Sequence, residues 1–210
     1  MCNHDVCFKP VISPQFVDLI ECSHLLLVVL SMGAALYFDM QSLKRLSSTI
    51  SQTYIDDLHD LHRLVTIAFL GLWITGAALI GVRTGYDLTE FSPKLWCKVG
   101  VVSALTLNSI LLHLFIFPRL KRGIGHQLIQ FPVKPLFLMT LCGGISLAGW
   151  MLALALGSSS FLKSAGWDVL LSFMSVGATL IIVSTLVAVF AVRWKASHQD
   201  RLTGVVDPTQ

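Results

Sequence analysis

Five long apolar stretches dominate the pattern of hydrophobic and polar positions along the chain. They cover residues 19–38, 64–82, 99–117, 136–157 and 169–192. A hydrocarbon core about 30 Å thick requires about 20 consecutive apolar residues in a helix, and each stretch is close to that length. At least three of them are apolar on every side, whereas helices of a soluble bundle each present a charged face. The pattern therefore predicts an all-α fold, an integral membrane bundle of five transmembrane helices.

Short polar motifs mark where the helices begin and end. Ser92 followed by Pro93 is a favourable N-cap and first helical residue, and it predicts the start of the third helix. Thr53 with Asp56 three residues later fits a capping box, with Asp in place of Glu, and predicts the start of the second helix. Pro118 is expected to close the third span, because proline interrupts helical hydrogen bonding.

Composition supports the same class and narrows the function. The 210 residues are 54% hydrophobic and only 13% charged, whereas soluble domains carry about 25% charged residues. We predict a single transmembrane domain over residues 1–210, with a flexible cytoplasmic tail at 195–210. The chain has no Walker loop, nucleophile elbow or zinc-protease motif, and its short loops leave no room for a soluble catalytic domain. We therefore name no catalytic residue, and the sequence favours a function other than an enzyme.

The distribution of basic residues predicts the orientation of the chain. With five spans, five basic residues fall on one side: Lys9, Arg83, Lys94, Lys98 and Lys163. Ten fall on the other: Lys44, Arg45, Arg63, Arg119, Lys121, Arg122, Lys134, Arg193, Lys195 and Arg201. The positive-inside rule places the richer side in the cytoplasm, so the N-terminus is expected outside and the C-terminus inside. The net charge of +3 then reflects contact with acidic lipid head groups and does not predict nucleic-acid binding.

Histidines near the cytoplasmic ends of the second and third spans are the first candidate site. His62 and His113 could hold a b-type haem between antiparallel helices, with nearby basic side chains meeting its propionates. His62 lies two residues outside its apolar stretch, and His113 lies four residues inside the end of its own. At 1.5 Å per residue, this predicts a mismatch in depth of roughly 9 Å, which helix tilt or shifted boundaries would have to remove.

A divalent metal site is an alternative use of the same region. His59 and His62 share a face of the second helix, His113 returns to the same leaflet, and Asp56 is close in sequence. A purely structural role is a further alternative, because acidic residues stabilise the first turn of a helix and His113 could hydrogen-bond across the bundle.

Polar residues within the first span form the second candidate site. Asp18, Glu21 and His24 share one face of the helix, which Ser31 and Asp39 continue loosely. Ionisable groups inside a bilayer are costly and often functional. His24 is the nearest expected partner of Glu21, and the pair could relay protons or hold a cation. The alternative is that the span begins later and that both side chains lie among lipid head groups.

Asn108, in the middle of the third span, is the remaining intramembrane polar residue of interest. Its amide requires a hydrogen-bond partner in hydrocarbon, and we expect it to join helices. Ser103, Thr106 and Ser146 are the candidate polar neighbours. Together with Glu21 and His24 it could also line a transport path.

Several runs in the second and third spans carry a resemblance to known membrane proteins. They are LHRLV at 61–65, TGAAL at 75–79, PKLWCKV at 93–99, LTLN at 105–108 and the Pro118-Arg119 exit. These runs resemble a pattern that recurs in uncharacterised bacterial multi-pass inner-membrane proteins. Their layout is similar to that of copper-resistance protein D and related haem-type membrane families over these two spans. The resemblance implies a place in the bacterial inner membrane.

Three functions are open from the sequence. The first is a redox-active or haem-associated membrane protein that uses His62 and His113. The second is a small transporter or permease-like protein that uses Glu21, His24 and Asn108. The third is a membrane subunit or assembly factor whose helices bind a partner protein or a second copy of the chain.

Overall fold

Five long helices account for most of the residues that the structure describes, as the sequence predicts. The computed structural model describes residues 13–45 and 48–203, without the side chains of residues 129, 163, 196 and 198–203. The helices are α1 (Pro14–Lys44), α2 (Gln52–Thr84), α3 (Pro93–Arg122), α4 (Val133–Ser158) and α5 (Trp167–Thr203). All five are long and apolar enough to cross a membrane, so the protein is a multi-pass membrane protein. Within the described residues, extended pairing is limited to one isolated bridge between Thr49 and Gln127.

The helix starts show which polar residues act as caps. Ser92 accepts a hydrogen bond from the backbone N–H of Leu95 with Pro93 as the first helical residue, which confirms the predicted start of α3. The predicted capping box at Thr53 is wrong, because the N-cap of α2 lies two residues earlier. Ser51 is its N-cap and accepts a hydrogen bond from the N–H of Tyr54 at 3.1 Å. The side chain of Asp56 instead accepts a hydrogen bond from Gln52.

Helices α1 and α5 extend well beyond the C-terminal ends of the apolar stretches that predict them. α1 continues to Lys44, so Asp39 lies within it. α5 continues to Thr203, so the predicted flexible tail is helical over 195–203, and residues 204–210 lie outside the described chain. The reason is that an apolar run indicates only the part of a helix that lies in the hydrocarbon core. The backbone hydrogen bonds of the helix continue into the membrane–water interface wherever the sequence permits.

Pro118 does not end the third span, contrary to expectation. A π-helical segment, Leu112–Ile116, precedes it, and the helix resumes at Phe117 and continues to Arg122. The N–H of Phe117 donates to the carbonyl of Leu112, five residues earlier. Proline offers no N–H to the carbonyl four residues before it, and the wider π turn accommodates that loss without breaking the helix.

Helix α4 is the centre of the bundle. It packs along α3 and α5 and also contacts α1, while α2 packs chiefly along α1. Glycines allow these close approaches, as small residues do in membrane helices. A Cβ at Gly149 of α4 would lie 2.6 Å from Cδ2 of Leu105 in α3, and a Cβ at Gly177 of α5 would lie 2.7 Å from Cδ1 of Leu152 in α4.

The buried apolar residues form two separate clusters. Cluster I comprises Ile50, Tyr54, Ile55, Leu58, Ile116, Phe117, Leu120, Leu128, Phe131 and Cys142. Cluster II comprises Phe69, Leu72, Cys97, Val101, Leu105, Trp150, Leu156, Leu162 and Leu170. Cluster I lies towards the end of the bundle that contains the α1–α2 and α3–α4 connections, and cluster II lies towards the opposite end.

Replacing Gly149 by valine should destabilise the bundle. The new side chain would force Leu105, which is 3% exposed, out of its packed position. Overpacking of this kind costs about 1–3 kcal/mol. We expect a lower apparent melting temperature of the detergent-purified protein. Gly157→Val is the matched control, because a Cβ at Gly157 meets no atom within 4 Å. Equal melting temperatures for the two variants would contradict close packing of α3 on α4.

Candidate functional site

A cavity lined by both polar and apolar side chains lies where α1, α2, α3 and α4 meet. Its volume is about 40 Å³, room for about three water molecules. Its polar lining residues are Asp39 from α1, His62 from α2, Asn108 and Ser109 from α3, and Ser146 from α4. Apolar side chains from the same four helices complete the lining. Each of these helices thus contributes at least one polar group to the same small space.

The cavity lies between the two apolar clusters. Along three helices the order of a cluster I residue, a cavity residue and a cluster II residue is the same: Leu58, His62, Leu72 on α2; Ile116, Asn108, Val101 on α3; Cys142, Ser146, Leu156 on α4. A layer of polar groups thus crosses the bundle between two apolar layers. Apolar packing therefore separates the polar groups of the cavity from bulk water at both ends of the bundle.

Asp39 is the acidic group of this cavity. Its Oδ2 is buried and has no hydrogen-bond partner within the described chain. The hydroxyl of Ser146 is the polar neighbour that interacts with its carboxyl group. Sequence reasoning placed Asp39 only at the edge of a polar face, because it is the first residue after the apolar stretch 19–38. The signal that could have identified it is an acidic residue directly after the apolar stretch, in a helix that extends five residues further to Lys44.

Asn108 is almost completely buried, with 4% of its surface exposed. Its Nδ2 donates a hydrogen bond to the carbonyl oxygen of Cys142 at 3.0 Å, so it joins α3 to α4. The predicted role of Asn108 in joining helices is therefore confirmed, although its partner is a backbone carbonyl. Its Oδ1 has no hydrogen-bond partner within the described residues. The amide is thus held from one side and has an unused acceptor beside the cavity.

The structure brings His62 and His113 together. Their ring centroids are 5.4 Å apart, the ring planes are 14° from parallel, and Phe117 packs edge-on against His62. His62 is ten residues after Gln52, and His113 is nine residues before Arg122, so both lie about 14–15 Å from the ends of their helices. The depth mismatch predicted from the apolar stretches is therefore wrong. It came from using the limits of the apolar runs as helix ends.

The arrangement of this pair does not fit a haem. The ligating lone pairs of an imidazole lie in the ring plane, and an iron atom bound by two histidines lies in the planes of both rings. His62 and His113 are stacked instead, and Phe117 contacts both rings. The adjacent cavity of about 40 Å³ is also far smaller than the roughly 300–1,000 Å³ of sites for ligands of drug size and above.

The alternative metal set is only partly assembled. His59 and Asp56 are exposed on α2, and His113 is exposed on α3, whereas His62 is partly buried. Across residues 13–45 and 48–203, no group of three or more His, Cys, Asp or Glu side chains is placed to hold a metal ion. The structure therefore brings His62 into contact with His113 but places no third residue of the predicted set with them to hold a metal ion.

Glu21 and His24 lie at the opposite end of α1 from the cavity. Glu21 accepts a hydrogen bond from Arg83 of α2 at 2.6 Å, and both side chains are exposed. The Nδ1 of His24 is 2.8 Å from the hydroxyl of Thr75. The expected contact between Glu21 and His24 is replaced by these two contacts to α2. Because residues of cluster II lie between them and Asn108, the three predicted residues do not form one site.

Comparisons of this chain with models of protein families, with curated proteins and with solved structures found no match. The proposed function therefore rests on the geometry of the cavity.

Haem binding by the histidine pair has a simple optical test. Because the stacked rings do not direct their nitrogens to one point, we expect no Soret absorbance that depends on them. The measurement is an absorption spectrum of protein purified from haem-supplied cells, compared with His62→Ala and His113→Ala. A Soret band that either substitution removes would show that the pair rearranges to bind haem.

Proposed function

We propose that this protein is a small membrane transporter whose binding site for a cationic solute or ion is the cavity beside Asp39 and Asn108. The observation that carries this proposal is that two buried acceptor oxygens without partners, on different helices, flank one cavity within the spans. Unsatisfied polar atoms in a low-dielectric interior cost free energy, so they are retained where a ligand completes them. A single carboxylate among the lining residues favours a positively charged ligand.

The site that we propose for transport uses residues other than those that the sequence suggested. Asn108 remains in the site, and Asp39 and His62 take the place of Glu21 and His24. His62 has one side on the cavity and the other against the exposed His113. This pair extends the polar groups from the cavity to the surface of the bundle. Glu21 and Arg83 form an ion pair at the opposite end, where it helps to hold α1 against α2.

We further propose that the membrane is the bacterial inner membrane, with the N-terminus outside and the C-terminus in the cytoplasm. The excess of basic residues at the ends of α1, α3 and α5 and at the start of α4 supports this orientation. In this arrangement Asp39 is five residues from the cytoplasmic end of α1, at Lys44. The cavity then lies nearer the cytoplasmic end of α1, with cluster I between it and that surface.

The carboxylate of Asp39 should be essential for transport. We expect Asp39→Asn to reduce ligand-induced charge movement by about tenfold or more, because a hydrogen bond to a charged group contributes about 1.5–3 kcal/mol. The measurement is solid-supported-membrane electrophysiology on proteoliposomes. The concentration jumps use alkali cations, ammonium, methylated amines and amino acids in turn.

Asp57→Asn is the matched control for that experiment, because Asp57 is an exposed aspartate outside the cavity. It should retain the wild-type response. Charge movement that is equal in the Asp39 and Asp57 variants would reject the cavity as the transport site. A wild-type protein that responds to none of the probes would reject the transporter function itself.

Reporter fusions test the orientation. Alkaline phosphatase fused into the α2–α3 loop near Glu90 should be active, since the loop is expected outside the cell. The same reporter after Thr203 should be inactive, and green fluorescent protein at that position should fluoresce. The opposite pattern at both positions would reverse the topology.

A further inference from the structure

The chemistry of the cavity identifies its ligand more narrowly, and this step rests on the proposed site. We propose that a small monovalent alkali cation binds in the cavity, with the Asp39 carboxylate, the Asn108 side-chain carbonyl and the Ser146 hydroxyl as its nearest oxygen ligands. This assignment combines the orientation of Asn108, the charge of the lining and the size of the space.

The orientation of Asn108 is fixed by its neighbour. Because Nδ2 donates to the carbonyl of Cys142, the side-chain oxygen of Asn108 is the atom left over for a ligand. An acceptor without a partner is satisfied by a proton donor or by a cation. Asn108 is 4% exposed, so bulk water does not supply that partner at the surface.

The charge of Asp39 decides between these possibilities. Its buried Oδ2 has no partner, and the ion pair within the described residues, Arg83 with Glu21, lies at the far end of α1. A carboxylate within a bilayer-spanning bundle requires a compensating positive charge or a proton. Hard cations prefer carboxylate, carbonyl and hydroxyl oxygens, and all three occur on the lining.

The number of charges and the volume limit the cation. Asp39 is the single acidic residue among the cavity-lining residues, so one positive charge neutralises the site. A space of about 40 Å³ suits an ion with about two water molecules better than an organic cation of several heavy atoms. His62, on the same lining, is neutral when unprotonated and leaves the charge balance unchanged.

Equilibrium binding tests the assignment without any requirement for transport. The detergent-purified full chain is unfolded by heat in chloride salts of Li⁺, Na⁺ or K⁺, and in N-methyl-D-glucamine chloride at the same ionic strength. A ligand that binds only the folded state stabilises it in proportion to the logarithm of its concentration. We expect at least one alkali cation to raise the melting temperature by about 4 °C at ten times its dissociation constant.

Asp39→Asn and Asn108→Leu should each abolish this cation-specific shift, and Asp57→Asn should retain it. Asn108→Leu also breaks the hydrogen bond to Cys142, so Ser146→Ala provides a milder second variant that should weaken the shift. Binding of ²²Na⁺ or ⁸⁶Rb⁺ to immobilised protein measures the same occupancy directly, including in variants with low melting temperatures.

Equal melting temperatures in all four salts, without isotope binding, would overturn the cation assignment. Stabilisation by acid alone, lost in Asp39→Asn, would also overturn it and identify a proton as the ligand. Cation binding without charge movement in proteoliposomes would keep this inference and reject the transporter function. Charge movement dependent on Asp39 with amines alone would keep the transporter function and reject the alkali cation.

Discussion

The cost of a carboxylate and an amide oxygen without partners inside a bilayer is the constraint around which this bundle is organised. Much of the interior obeys the ordinary rule for membrane helices, with apolar side chains, small residues at close contacts and hydroxyl groups bonded to carbonyls of the preceding turn. Away from the cavity lining, Thr185 and Arg193 of α5 each also have one buried polar atom without a partner within the described residues. Asp39 and Asn108 depart from that rule at the same level of the bundle. Two such departures beside one cavity are better explained by a shared ligand than by separate defects in packing.

The two apolar clusters explain how such a site is tolerated. Cluster I fixes the ends of α2, α3 and α4 near the α1–α2 and α3–α4 connections, and cluster II fixes the other half. The polar layer between them interrupts neither cluster, so the packing free energy of the two clusters offsets the cost of burying its polar groups. The close contacts at Gly149 and Gly177 join α4 to its two neighbours within the half that contains cluster II. The polar residues of the site therefore depend on helix packing by apolar neighbours, among them Leu105, which lines the cavity and contacts Gly149.

The membrane class and the number of helices could be predicted from the sequence because hydrocarbon thickness imposes a length on every span. The ends of the helices could not be predicted in the same way. An apolar run ends where water or head groups begin, whereas α1 continues past Asp39 and α3 continues past Pro118. The pairing of His62 with His113 follows from these longer helices, so the two histidines do meet, whereas the depths assigned to them from the apolar runs were wrong.

The partners of the polar residues required three-dimensional information of a different kind. Spacing along α1 brought Glu21 and His24 together on one face, but each finds its partner on α2, where Arg83 and Thr75 lie. Which helices touch depends on how small residues and bulky side chains fit, and that information is spread over the whole bundle. Asn108 was identified from its position alone because an amide in mid-span requires a partner whatever the packing is.

The histidine pair and the oxygen-lined cavity are best understood as adjacent parts of one region with different chemistry. The π turn at Leu112–Ile116 changes the helical register of α3 between Asn108 and Pro118, and His113 lies within it. Such turns often occur at functional sites, because they redirect side chains without ending the helix. Here the redirected side chain meets His62, whose ring also lines the cavity. Since the imidazoles lie at the side of the cavity and the unpaired oxygens belong to Asp39 and Asn108, oxygen ligation of a cation fits this region better than nitrogen ligation of a haem iron.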